Sequence, residues 1–110
     1  MAYDPDLADR LREILQDEPG LTEQRMFGGL GFMLDGNMAV AASSGGGILL
    51  RIDPAAAGDL VDGVVARRFE MRGRAMDGWL AVDPAAAHTD EALREWVAHG
   101  GAYVRSLPPK

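Results

Sequence analysis

Apolar residues recur along this chain with two periods, and the switches between them mark out its elements. Leu7, Leu11, Ile14 and Leu15 fall at helical spacing. Asp4-Pro5 stands in front of them, a capping carboxylate followed by a proline where a missing N–H costs nothing. Pro19-Gly20 closes this helix. The period then drops to two at Leu30, Phe32 and Leu34. Asp35-Gly36 is a two-residue hairpin signal, and Met38, Val40 and Ala42 continue on the return strand. Residues 43–47 read as a turn, and Ile48, Leu50 and Ile52 as a third strand.

The second half repeats these devices. Asp53-Pro54 predicts another capped helix, short, running from Ala55 to about Val61 and ended by Gly63. Phe69 and Met71 predict a fourth strand and residues 78–82 a fifth. Asp83-Pro84 with three alanines copies Asp53-Pro54 with three alanines, a strand-to-helix device used twice. Thr89, Asp90 and Glu91 open the last helix. Its stripe is Leu93, Trp96, Val97, Gly100 and Val104, with Pro108-Pro109 as the stop. Gly100-Gly101 weakens that helix by about 1 kcal/mol per glycine relative to alanine, which makes sense where something packs close.

The resulting order, α-β-β-β-α-β-β-α with hairpin-length links, predicts an α+β fold in two layers. An antiparallel sheet of about five strands carries the first and last helices on one face. At 110 residues with no dividing linker, residues 1–110 are expected to form one domain.

Composition narrows the chemistry. The chain is 47% hydrophobic and 25% charged, as in an ordinary globular protein. It has no cysteine, which excludes disulfides, thiol catalysis and cysteine-type zinc sites. No apolar run approaches the roughly 20 residues of a membrane helix. The acidic start, Met1-Ala2-Tyr3-Asp4, is unlike a signal peptide, so a cytoplasmic location is expected. The net charge of −6 is uneven: residues 1–24 hold seven acids and two bases, residues 25–76 five and six, residues 77–110 five and three. Without a basic face, direct nucleic-acid binding is not expected.

Met26-Phe27-Gly28-Gly29, the hairpin, Leu50-Arg51-Ile52, Gly73-Arg74-Ala75-Met76 before Gly78-Trp79, and the ending Tyr103-Val104-Arg105-Ser106-Leu107-Pro108 come in a characteristic order. Together with the opening they make the chain resemble the N-terminal domain of the TfoX/Sxy family along nearly its whole length. Founding members of that family regulate natural competence genes alongside other regulators and carry a second domain similar to helix-hairpin-helix DNA-binding modules. The resemblance implies a stand-alone N-terminal domain here, with no catalytic residues to carry over.

Arg67, Arg68, Arg72 and Arg74 lie within eight positions, opposed only by Glu70, and Arg51 joins them if the strands are neighbours. Guanidinium groups in such a set grip phosphate or carboxylate; the alternative is a charged, solvated strand face. A second candidate is the sheet's outer face. With Leu30, Phe32 and Leu34 toward the helices, the period of two puts Met33, Ala39, Ala41, Leu49 and Arg51 on the other side. So apolar a face suggests a partner or homodimer surface, unless the second helix or the Gly45-Gly46 loop covers it.

The remaining motifs read as structural. Gly28-Gly29-Leu30-Gly31 lacks the Lys-Ser/Thr of a phosphate loop and precedes a strand, so close backbone packing is expected. His88 and His99 are apart, and no metal site is expected. Asp4, Asp53 and Asp83 read as helix caps, and no acid–base pair stands out. The expectation is a non-enzymatic interaction or regulatory module that uses no cofactor and meets a protein partner or itself. The alternative is a small-molecule or phosphate-ester binding protein, even a minor enzyme, using Arg72 and Arg74 in a pocket beside Trp79.

Overall fold

The computed structural model describes residues 3–26, 28–43, 46–56, 66–71 and 74–108. Helix α1 (Pro5–Leu15) starts as its sequence dictates, with the Asp4 carboxylate accepting the Asp6 N–H at 2.9 Å and Pro5 in the first turn. Six strands follow: β1 (Leu21–Met26), β2 (Gly29–Leu34), β3 (Asn37–Ala42), β4 (Ile48–Arg51), β5 (Ala66–Met71) and β6 (Arg74–Val82). The last helix, α2 (Asp90–Arg105), is capped by Thr89, whose hydroxyl accepts the Ala92 N–H at 3.1 Å. All strand pairs are antiparallel, in the order β1-β2-β3-β4-β6-β5.

This is the expected α+β class with one strand more. Strand β1 escaped the pattern because it is an edge strand whose Thr22, Glu23, Gln24 and Arg25 are all exposed, so only its ends, Leu21 and Met26, are apolar. It explains the Met26–Gly29 block, since Met26 pairs with Gly29 and Gly28 takes φ +77 in the turn between β1 and β2. At the next hairpin Asp35 (φ +52) and Gly36 (φ +85) both occupy the left-handed region, as a type I′ turn requires.

Two expected details differ or fall outside view. Asp53 caps a 3-10 turn, Pro54–Ala56, accepting the Ala55 N–H at 2.9 Å. The rest of the helix expected to about Val61 lies outside the described residues. Asp83 is not a cap: its side chain makes no capping hydrogen bond to the 3-10 turn Pro84–Ala87 and stands 4.0 Å from Arg67 instead.

The core follows from the register. Leu30, Ala42, Ile48 and Val82 stand side by side on four adjacent strands, and Phe32, Val40, Leu50 and Leu80 form the next row. All eight are buried against Leu7, Ala8, Leu11 and Leu15 of α1 and Leu93 and Val97 of α2. Each fully buried Leu or Phe contributes roughly 1.5–3 kcal/mol. α2 lies over β3 and β4, and α1 packs on both α2 and β3, so the two helices share one face. Trp96 packs half-buried at the edge of this core. No helix among the described residues is long and apolar enough to cross a membrane.

A bulge corrects the outer-face reading. Phe32 pairs with Val40 but Met33 pairs with Met38, leaving Ala39 as an extra residue on β3. A bulge of this kind bends the strand and re-aims its side chains. Ala39, expected on the outer face, is fully buried with Leu34 and with Val104 of α2. Met38, expected in line with Val40 and Ala42, is half-buried opposite Met33.

Arginine contacts tie the layers together. Arg12 on α1 grips Glu23 on β1 with two hydrogen bonds, 2.7 and 2.8 Å, and also meets Asp9. Arg10 donates to Asp90 and to the His88 carbonyl at the start of α2. Arg105 reaches from the end of α2 to Asp35 (2.9 Å) and to the Pro19 carbonyl (2.8 Å). Asn37, buried, donates to the Pro108 carbonyl at 2.9 Å and holds the tail against β3.

Candidate functional site

The face of the sheet away from the helices carries an unbroken apolar row. Gly31, Ala41, Leu49 and Ala81 stand opposite one another on β2, β3, β4 and β6. Met33 and Met38 pair beside that row. Gly31 and Ala41 are buried, while Met33, Met38, Leu49 and Ala81 are half-buried. Met33, Ala41 and Leu49 thus take the positions the alternation assigned them, and Ala39 is replaced by Met38.

Beside this row, at the C-terminal end of β4, lies a cation that stands over two aromatic rings. Arg51 and Trp79 are register partners on β4 and β6, each two residues along its strand from Leu49 and Ala81. The Arg51 guanidinium carbon stands 4.9 Å from the Trp79 ring centroid and 5.5 Å from that of Tyr103 on α2. Such contacts are worth about 0.5–1 kcal/mol each when exposed and more as water is excluded. Tyr103 is placed by the packing of its neighbour Val104 against Leu34 and Ala39. The β3 bulge and the α2 stripe therefore set one wall of the site.

The electrostatics of Arg51 set it apart. Its Nε is shut off from water and has no hydrogen-bond acceptor among the described residues. Leaving a donor in that state costs about 1–3 kcal/mol. No carboxylate among the described residues pairs with it, whereas Arg10, Arg12, Arg67 and Arg105 each meet one. Next to it Gly78 adopts φ +88, and a Cβ there would stand 3.8 Å from Arg51 Nε and 3.4 Å from the Ile52 carbonyl oxygen.

Of the expected arginine group only Arg67 has a described side chain, and Arg67 does not stand beside Arg51. Strand β6 separates β4 from β5, so Arg51 faces Trp79 while Arg67, exposed, pairs in the register with Ala81. Arg68 pairs with Leu80 through its backbone, but its side chain lies outside the described residues, as does that of Arg74 at the start of β6. Arg72 lies outside them altogether, and with it the arginine wall of the pocket imagined beside Trp79. Tyr103, the third member of the cluster, carried no site signal beyond its place in the terminal motif.

Other candidates have structural roles. His88 is exposed just before the α2 cap, and His99 is exposed with its ring 6.2 Å from that of Trp96. Among the described residues no three His, Cys, Asp or Glu side chains converge as a metal site would need. Hydrogen bonding to Arg12 holds the Glu23 carboxyl below its ordinary value, and Glu23 in turn raises Arg12. That pair fastens α1 to the sheet edge.

Comparison with curated proteins gave no match. The family model of the TfoX N-terminal domain matches residues 13–102. That span takes in every strand, Arg51, Trp79 and most of α2, and stops one residue short of Tyr103. The chain therefore belongs to the TfoX N-terminal domain family.

Proposed function

We propose that this chain is a non-enzymatic interaction module, regulatory in the manner of TfoX competence regulators, that meets a protein partner through the outer face of its sheet. The observation that carries the reading is the Trp79–Arg51–Tyr103 cluster standing beside the Leu49–Ala81 row. Trp, Tyr and Arg are the residue types that dominate binding energy at protein interfaces, most of all when surrounded by apolar contacts that exclude water. Apolar patches that reach solvent mark interaction sites, and Met33, Met38, Leu49 and Ala81 each keep part of their surface in solvent. Several described carboxylates have structural work: Asp4 caps α1 and Asp53 a 3-10 turn, while Glu23, Asp35, Asp83 and Asp90 meet arginines.

The test is quantitative capture from host lysate with the wild-type chain, Leu49→Glu and Trp79→Ala as baits. Partners held by the wild type and lost with both variants are expected. Identical partner sets for all three baits would contradict the reading. Light scattering on the pure chain decides whether a second copy is one of those partners.

A further inference from the structure

We propose that Arg51 is a receptor for a single carboxylate, an Asp or Glu side chain of the partner flanked by apolar residues. This rests on the interaction reading above and adds the chemistry of the contact. A guanidinium carries five N–H donors in a fixed fork, and a ring face satisfies none of them as an acceptor lone pair does. Arg51 stands over two such faces, and no hydrogen bond or ion pair joins it to any described residue. Arg51 is half-buried, and its guanidinium is held over the rings of Trp79 and Tyr103. With Nε desolvated, the two Nη groups are left to meet a ligand, and a planar carboxylate matches that end with two parallel hydrogen bonds.

The ligand class follows from charge. The chain carries 17 acids against 11 Lys and Arg, yet none of the described acids is spent on Arg51. A net charge of −6 repels a nucleic acid, whose binding needs many cations on one face. One guanidinium balances one carboxylate and leaves a phosphate dianion half-neutralised. The adjoining Leu49, Ala81, Met33 and Met38 suit apolar side chains next to the acid in the partner's sequence.

The experiment uses the full chain labelled with nitrogen-15 and follows the Arg51 Nε–Hε and Trp79 indole resonances. The probes are a short blocked peptide with one Glu between two leucines, the same peptide with Gln, and inorganic phosphate. The Glu peptide is expected to move both resonances saturably, with the Gln peptide and the Arg51→Lys variant each weaker by about tenfold or more, since both lose the charged fork-to-carboxylate pairing. Phosphate is expected to move neither at the same concentration. Equal binding of the Glu and Gln peptides, no response to the Glu peptide, or phosphate acting as well as the Glu peptide would overturn the assignment. If both peptides move the Leu49 and Ala81 amides while Arg51 stays still, the carboxylate receptor fails and the interaction face stands.

Discussion

Gly100 of α2 lies against Ala39 of β3 so closely that a Cβ on the glycine would stand 2.6 Å from the Ala39 carbonyl oxygen. It would also come within 2.8 Å of Leu50 Cδ1 and 3.2 Å of the Arg51 carbonyl oxygen. Gly101, one residue on, would meet nothing within 4 Å. The glycine pair therefore divides into one residue that sets how deeply the helix seats and one that only loosens it. Gly100→Ala is expected to lower stability by about 1–3 kcal/mol through overpacking, despite alanine's better helix propensity. Gly101→Ala is expected to raise it by about 0.5–1 kcal/mol. Denaturant unfolding of both variants checks this, and changes of the same sign would contradict it.

The Arg12–Glu23 pair makes a pH-dependent fastening. The folded-state carboxyl of Glu23 lies below its ordinary value of 4.5, the main cause being its hydrogen bonds from Arg12. A lowered carboxyl stabilises the fold above its unfolded value, and that contribution disappears as pH falls through the folded one. Glu23→Gln is expected to melt below the wild type at neutral pH, by a small margin because the pair is partly exposed and screened by salt. The margin is expected to close as the pH is taken below 4.5. Thermal melts of both proteins across that range measure it; a margin unchanged in strong acid would show that the contact is not ionic.

Arg51 separates binding from stability. Arg51→Met keeps an unbranched stem between the rings and removes the orphaned Nε donor. Losing the cation–ring contacts and losing the desolvated donor oppose each other, so the net change in stability is expected to stay within about 1 kcal/mol. Partner capture is expected to fall sharply in the same variant. A large destabilisation with capture retained would make Arg51 a structural residue.

How far the sequence foretold this protein depends on which physics is local. The Asp35-Gly36 turn was legible because a two-residue hairpin needs positive φ at both positions and the sequence supplied residues that accept it. Gly100 was legible as a point of close approach because a glycine inside a helical stripe needs a packing reason. Strand β1 was not, since Thr22 to Arg25 of this edge strand are all exposed and nothing there selects an alternating pattern. The misplacement of Ala39 has a single cause: period-two reasoning carries no information about a bulge, and one extra residue between Val40 and Met38 reverses which side is buried. The site was half legible. Arg51 stands out in the sequence, but the sequence groups it with arginines that are close to one another along the chain. The sheet order puts β6 between Arg51 and the β5 residue Arg67, and the helix brings in Tyr103 from the far end of the chain.

The most direct test is amide hydrogen exchange on the complex of the chain with a captured partner, compared with the chain alone. Added protection is expected in β4 and β6 around Leu49, Arg51 and Trp79 and at Tyr103 of α2. The exposed side of α1, around Asp9 and Glu13, is expected to exchange as before. Protection gathered on α1, with β4 and β6 unchanged, would contradict the account.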